Sequence, residues 1–194
     1  METAGQPAGT DPVPSDTSLY PTTTNIVSYL DFDCEYCKVF EATNVSQIEQ
    51  LVASGVATLE VVPVAITGLY AERAGSAVAC LVTYQPESIS IMLPAMHDNQ
   101  PAEGATLSNG EILDIWRNTG IEPSGDLVSC VNDESYIEWI RVNTERVATD
   151  LEIVNPSTGS FGTPTVFVNG VPYAGTLTGP TRFAQFIDEN ARPE

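Results

Sequence analysis

Histidine and lysine occur once each in this 194-residue chain, as His97 and Lys38, and six arginines are the only other basic side chains against 26 Asp and Glu. The net charge of −19 would repel a nucleic-acid backbone or an anionic membrane surface, so neither is expected as a partner. A solvated, self-repelling surface accounts for such acidity without any chemistry. The lone His97, next to Asp98 and read as a surface-loop residue, leaves no two-histidine metal site and no usual Cys-His or Ser-His-Asp arrangement. No stretch reaches the roughly 18 apolar residues that span a membrane, and no basic start leads into an apolar run as in a signal peptide. The glycines match neither a phosphate-binding loop nor a dinucleotide fingerprint, so no cofactor is expected. Asn44-Val45-Ser46 has the form of a glycosylation acceptor but falls inside a predicted helix.

What is present reads as one α/β domain carrying a helical elaboration. A 20.8 kDa chain can bury roughly 70% of its unfolded surface, enough for one core with an insertion. Residues 1–23, rich in Gly, Pro, Thr, Ser and Asp, are expected to be a disordered leader. Ile26 to Leu30 reads as a buried strand. A helix follows from Cys34 with Phe40, Val45, Ile48 and Val52 on one stripe, until Gly55 stops it. Val56 to Val64 is so continuously apolar that it is expected to be a central strand, ending near Pro63.

From residue 74 to 150 the period is helical. Ala74, Ala77, Val78 and Leu81 form one stripe, and Ile89, Met92, Leu93 and Met96 form another, kinked or ended at Pro94. Ser108 and Glu111 are spaced as a capping box for a helix through Trp116 that Gly120 stops. A short helix covers Leu127 to Val131. The longest of this region is predicted from Glu134 to Leu151, with Ile137, Ile140, Val147 and Leu151 inward. Then come a strand Thr165 to Val168, an Asn169-Gly170 turn of type I′ preference, a strand Val171 to Ala174, and a helix opened by Pro180.

Two motifs carry chemistry. Cys34-Glu35-Tyr36-Cys37 stands where the first strand gives way to a helix, a place where two thiols can close into a readily reduced disulfide. Helix amides and dipole favour a thiolate on Cys34, which would attack, leaving Cys37 to resolve the mixed disulfide. Half a zinc site has the same spacing. The second motif, Gly162-Thr163-Pro164-Thr165, sets a proline at the start of a β-branched strand; a cis Thr163-Pro164 bond would suit a loop facing the dithiol, and an ordinary trans proline opening a strand is the alternative.

With C-x-x-C early, T-P-T late and helices between, the chain resembles the thioredoxin superfamily, and in particular its DsbA-like branch of exported bacterial thiol-disulfide oxidoreductases. The resemblance implies a thioredoxin fold, a central mixed sheet flanked by helices, over 24–73 and 151–194, with an all-helical domain inserted over 74–150. It implies disulfide introduction into unfolded secreted polypeptides, Thr163 and Pro164 lining the peptide groove, and reoxidation by a membrane quinone-linked thiol oxidase. Location would be extracytoplasmic, with residues 1–23 tethering the domain to an anchor or following an export signal. Because exported proteins seldom keep free thiols, Cys80 and Cys130 are expected to form a structural disulfide, worth about 4 kcal/mol by loop closure. An isomerase or reductase of the same fold is the nearest alternative; a metal-binding or non-catalytic module is the alternative of another class.

The chain also departs from that family. Strong oxidases carry Pro-His between the cysteines, and Glu35 and Tyr36 stand here instead. Together with Asp31 and Asp33, Glu35 is expected to disfavour the Cys34 thiolate and weaken the oxidant. Ser28 occupies the position six residues before Cys34 where relatives keep a buried acid; Glu60, in the middle of an apolar strand, is the candidate substitute, and a carboxylate at the strand's solvated edge is the alternative.

Overall fold

The computed structural model describes residues 23–102 and 104–191; residues 1–22, and with them nearly all of the expected leader, lie outside the described residues. Strand β1 (Thr24–Leu30) alternates buried and half-buried residues, as a strand with one face on the main core should. Helix α1 (Glu35–Ala53) follows. It ends in a Schellman motif: Gly55 takes φ +74°, its N–H meets Val52 O, and Val56 N–H meets Leu51 O. The chain thereby returns as β2 (Ala57–Pro63), parallel to β1.

The second half is antiparallel. Strand β3 (Thr165–Val168) pairs with β1, Ile26 opposite Val168, and then turns into β4 (Val171–Pro172). Asn169 and Gly170 both take positive φ, as a type I′ turn requires. The sheet order is β2-β1-β3-β4. The last helix of the chain, over 180–190, begins at Pro180 and buries Phe183, Phe186 and Ile187 against Phe40, Ile48 and Val168. These halves make the mixed, helix-flanked sheet of a thioredoxin fold.

Strand β2 is an edge strand, not the expected central one. Its apolar continuity has another cause: both faces are covered although only one side is paired. Leu59 packs with Phe40 and Ile48, whereas Val62 packs with Val147 and Ile153. Continuous hydrophobicity reports covered faces and not lateral position.

Between the halves lie α2 (Leu69–Tyr84), a 3-10 turn (Pro86–Ser88), α3 (Ile89–Asp98), α4 (Asn109–Asn118), α5 (Gly125–Asn132) and α6 (Ile137–Thr149). The helix over 180–190 is therefore α7. Leu81, Met92, Met96, Ile112, Trp116 and Leu127 bring α2 to α5 together in one core. A disulfide between Cys80 and Cys130, Cα atoms 5.8 Å apart, ties α2 to α5. The Ser108–Glu111 capping box closes on α4. Pro94 neither ends α3 nor stops its hydrogen bonding further on; the carbonyl it leaves without a donor belongs to exposed Ser90. Helix α2, not α6, is the longest of this region, and α6 ends before Leu151, which is 91% exposed. Ile153 takes up the inward position instead, beside Val147 and Val64. Asn143 Nδ2 donates to Pro63 O at 3.0 Å, so α6 returns the chain to the sheet.

Candidate active site

The end of β1 aims the chain into α1, and Cys34 is the N-cap residue, with φ −84° and ψ 118°. Its carbonyl accepts from Cys37 N (3.1 Å) and Lys38 N (3.2 Å), which winds Cys34 to Cys37 into the first turn. Both cysteines are free thiols. They are unequal: Cys34 keeps 8% of its surface exposed, and Cys37 none.

Chemistry follows from that inequality. Hydrogen bonding with the Cys37 thiol, opposed by burial and helped by Thr163 and by the Cys37 and Tyr36 amides, brings the Cys34 pKa down to about 6. Burial first, and then its donation toward Cys34, push the Cys37 thiol well up. Asp31 N lies 3.5 Å from Cys37 Sγ as a weak donor. One sulfur is therefore a thiolate near neutral pH and the other a protonated partner.

Opposite them, the peptide Thr163-Pro164 is cis, and Thr163 O accepts from Cys34 Sγ at 3.4 Å. The Thr163 hydroxyl is buried without a hydrogen bond of ordinary geometry, yet it lowers both thiols and so faces the sulfur pair. Asn155 Nδ2 donates to Pro164 O at 3.1 Å, and Thr165 Oγ1 holds Gly162 O at 2.5 Å, fixing the loop on both sides. The fold thus brings together Cys34, Cys37, Thr163 and Pro164 from elements far apart in sequence.

Other expected residues fall elsewhere. Glu35 is exposed, as is Tyr36. The largest influences on Cys34 come from Cys37, burial and Thr163, ahead of Asp31, Asp33 and Glu35. The Asp31 carboxylate is fully buried and already occupied: Oδ1 accepts from Asp33 N and Thr67 Oγ1, both at 2.8 Å, and Oδ2 accepts from Ile66 N (2.8 Å) and Thr67 N (3.0 Å). Its charge is spent on binding the loop after β2 to the loop before α1. Glu60 cannot replace the missing acid. It is in register with Val27, while the neighbouring Val61 is in register with Ser28 and packs with Cys34 and Cys37. Strand alternation therefore puts Glu60 on the opposite face of the sheet from the sulfurs. Ser28, on the cysteine face, is buried and its hydroxyl has no hydrogen-bond partner.

His97 is no surface-loop residue either. It lies in the last turn of α3, 1% exposed, stacked on Phe32 with ring centroids 5.0 Å apart. Burial, then the charge of Lys38, push its pKa down to about 4. Gln100, which sequence reasoning did not single out, donates from Nε2 to Cys34 O at 3.1 Å. An amide side chain two residues past a helix end has no sequence signature; only the docking of α3 on α1 reveals it. Among the described residues no group of three or more His, Cys, Asp or Glu could hold a metal ion.

Comparison with known proteins agrees with this geometry. The thioredoxin family model matches residues 21–189. Reduced DsbA from Mycobacterium tuberculosis is similar at 27% identity and a TM-score of 0.72, over 86% of this chain and 82% of that one. The reduced DsbG from the same organism is similar at 26% identity and a TM-score of 0.70, over 88% and 80%. BdbD from Bacillus subtilis, at 19% identity, shares the fold with a TM-score of 0.72 over 90% of each chain. No curated protein matches the sequence.

Proposed function

The chain belongs to the thioredoxin family as a DsbA-like thiol-disulfide oxidoreductase, and from that premise we propose that it acts as an oxidase, with Cys34 and Cys37 as its redox pair. The observation that carries the reading is the split between an acidified Cys34 that keeps a small exposed edge and a fully buried, protonated Cys37. In the oxidised enzyme a substrate thiolate attacks Cys34 Sγ. The Cys34–Cys37 bond breaks, its electron pair passes to Cys37 Sγ, and a proton completes that thiol. A second substrate thiolate then attacks the substrate sulfur of the mixed disulfide and expels Cys34 as thiolate. Two electrons have moved from substrate to enzyme, and the substrate holds a new disulfide. The low Cys34 pKa makes it the better leaving group, which favours product release over reversal.

Thr163 and Pro164 are the substrate-facing loop in this reading, the Thr163 backbone pairing with extended polypeptide as an added strand. Substrates are unfolded exported proteins, and reoxidation falls to a membrane quinone-linked thiol oxidase. The enzyme works outside the cytoplasm, residues 24–68 and 151–194 forming the catalytic unit, residues 69–150, from the start of α2 and not from residue 74, its helical cap, and residues 1–23 a tether. No helix among the described residues is long and apolar enough to cross a membrane.

The test is oxidative refolding of a reduced, unfolded secreted protein such as ribonuclease, together with equilibration of the pair against glutathione. An oxidase restores activity to the reduced substrate stoichiometrically, with a potential between the approximately −270 mV of thioredoxin and −120 mV of the strongest oxidase. Activity only on scrambled disulfides, or a potential at the thioredoxin end, would replace the oxidase with an isomerase or reductase.

A further inference from the structure

His97 and Gln100 form a polar link between the helical cap and the active-site turn that the reaction scheme leaves unused. Gln100 Nε2 lies 3.1 Å from Cys34 O and 3.3 Å from His97 Nδ1. A backbone carbonyl only accepts, so the group facing it is the NH2 end of the amide, and that nitrogen has two hydrogens and no acceptor capacity. The ring nitrogen it also meets must then accept, which makes Nδ1 bare and puts the imidazole proton on Nε2. That Nε2 is buried without a partner, in a ring pressed on Phe32. A protonated ring would set an Nδ1–H against the amide hydrogens, so the link exists only with neutral His97. Its depressed pKa is consistent with that state. Lys38 Nζ adds a second tie from α1 to the same end of α3, donating to Asp98 O at 3.2 Å.

We propose that Gln100, oriented by His97, is a positioning residue that lets the cap set the reactivity of Cys34. Cys34 O already accepts two amides of α1, and Gln100 is the third donor on one oxygen. That oxygen carries partial negative charge on the same residue as the attacking sulfur. Each donor on it reduces the repulsion a thiolate meets there and holds the Cys34 peptide in the orientation from which Sγ faces the Cys37 thiol and the Thr163 hydroxyl. The cap is thereby joined to the redox centre, and not only to the sheet. This inference rests on the reading of Cys34 and Cys37 as the redox pair.

The experiment compares the wild type with Gln100→Met, His97→Leu and His97→Asn, the last keeping an acceptor near the Nδ1 position. Thiolate absorbance against pH, alkylation at pH 5.5 and the glutathione equilibrium are measured, with melting temperature as a control on folding. Gln100→Met and His97→Leu are expected to raise the Cys34 midpoint by about half a unit, slow alkylation about threefold and make the pair less oxidising. His97→Asn stays near the wild type. Gln100→Asn, one methylene short, withdraws the donor with less disturbance and serves if the Met variant fails to fold. Variants that melt lower but keep the wild-type midpoint and equilibrium would reduce the link to packing and overturn the proposal. A wild type that does not exchange with glutathione at all would instead remove the redox reading, and this inference with it.

Discussion

At the scale of single residues, the dithiol is governed by what each sulfur can reach. Cys34 has its pKa lowered to about 6, so its alkylation rate should climb as pH rises through that value and level off above it, while Cys37 stays unlabelled in the folded protein. Mass mapping after brief iodoacetamide treatment checks this, and equal labelling of both sulfurs would reverse the assignment. The same shift stabilises reduced protein. A thiol more acidic in the folded state contributes stability above its unfolded pKa, and loses it as pH falls through about 6. Asp31 makes a different kind of contribution. With four donors on a buried carboxylate, Asp31→Ala should destabilise the protein by about 2 kcal/mol in denaturant unfolding, because the loop after β2 loses its hydrogen bonds to the loop before α1 and the released Ile66 and Thr67 amides, at exposed positions, can turn to water. Glu35→Gln, at an exposed position, should change neither stability nor the Cys34 midpoint appreciably.

At the scale of elements, the packing of α1 on α3 contains a buried acid. Glu41 of α1 is 6% exposed and lines a cleft with Val45, Ile48 and Glu49 of its own helix, Leu59 of β2, and Ile89, Ser90, Leu93 and Pro94 at the start and middle of α3. Among the described residues Glu49 is the one other titratable lining group, and β2 and α3 contribute none. Burial, and then Glu49, push the Glu41 pKa up to about 7. A raised carboxyl pKa means that the folded state holds the proton more tightly. The stability it contributes is whole below about pH 4.5 and is lost as pH rises through about 7. Glu41→Gln should therefore match the wild type near pH 4.5 and exceed it at pH 8, by on the order of 1–3 kcal/mol. Equal pH dependence in the two proteins would show that the cleft admits enough water to solvate the charge.

At the scale of the whole molecule, two cores are joined along α1, α3 and α6, and the cap has its own covalent staple. Cys80 and Cys130 are 50 residues apart in sequence, and closing a loop of that length should stabilise the fold by about 4 kcal/mol, less any native strain. The paired Cys80→Ala, Cys130→Ala variant should melt earlier and still oxidise a dithiol peptide, because the bridge packs in the core of the cap while Cys34 and Cys37 pack with Leu30 and Val61. Loss of peptide oxidation at temperatures where the variant remains folded would show that the staple reaches the active site through α3. The net charge of −19 leaves the acidic side chains in large excess over the basic ones, so melting temperature should also rise with salt as screening weakens their repulsion.

The sequence by itself determined the order of elements, the dithiol at a helix start, the threonine and proline of a strand-opening loop and the type I′ turn, because each is local chemistry: spacing, capping and allowed φ. Thus Ser108 with Glu111, Gly55, and Asn169 with Gly170 were readable without neighbours. The tertiary structure decided whatever depends on which face or partner a residue meets. Val56 to Val64 looked central because its faces are covered, yet pairing left β2 at the edge. Glu60 was near the site in sequence pattern and is on the wrong side of the sheet, since alternation fixes faces only once register is known. Asp31 read as a charge beside sulfur, and four long-range donors made it a fastening between loops. His97 read as exposed because one polar residue near a helix end carries no burial signal; the stacking of α3 on Phe32 buried it, and the same docking brought Gln100 onto the carbonyl of Cys34.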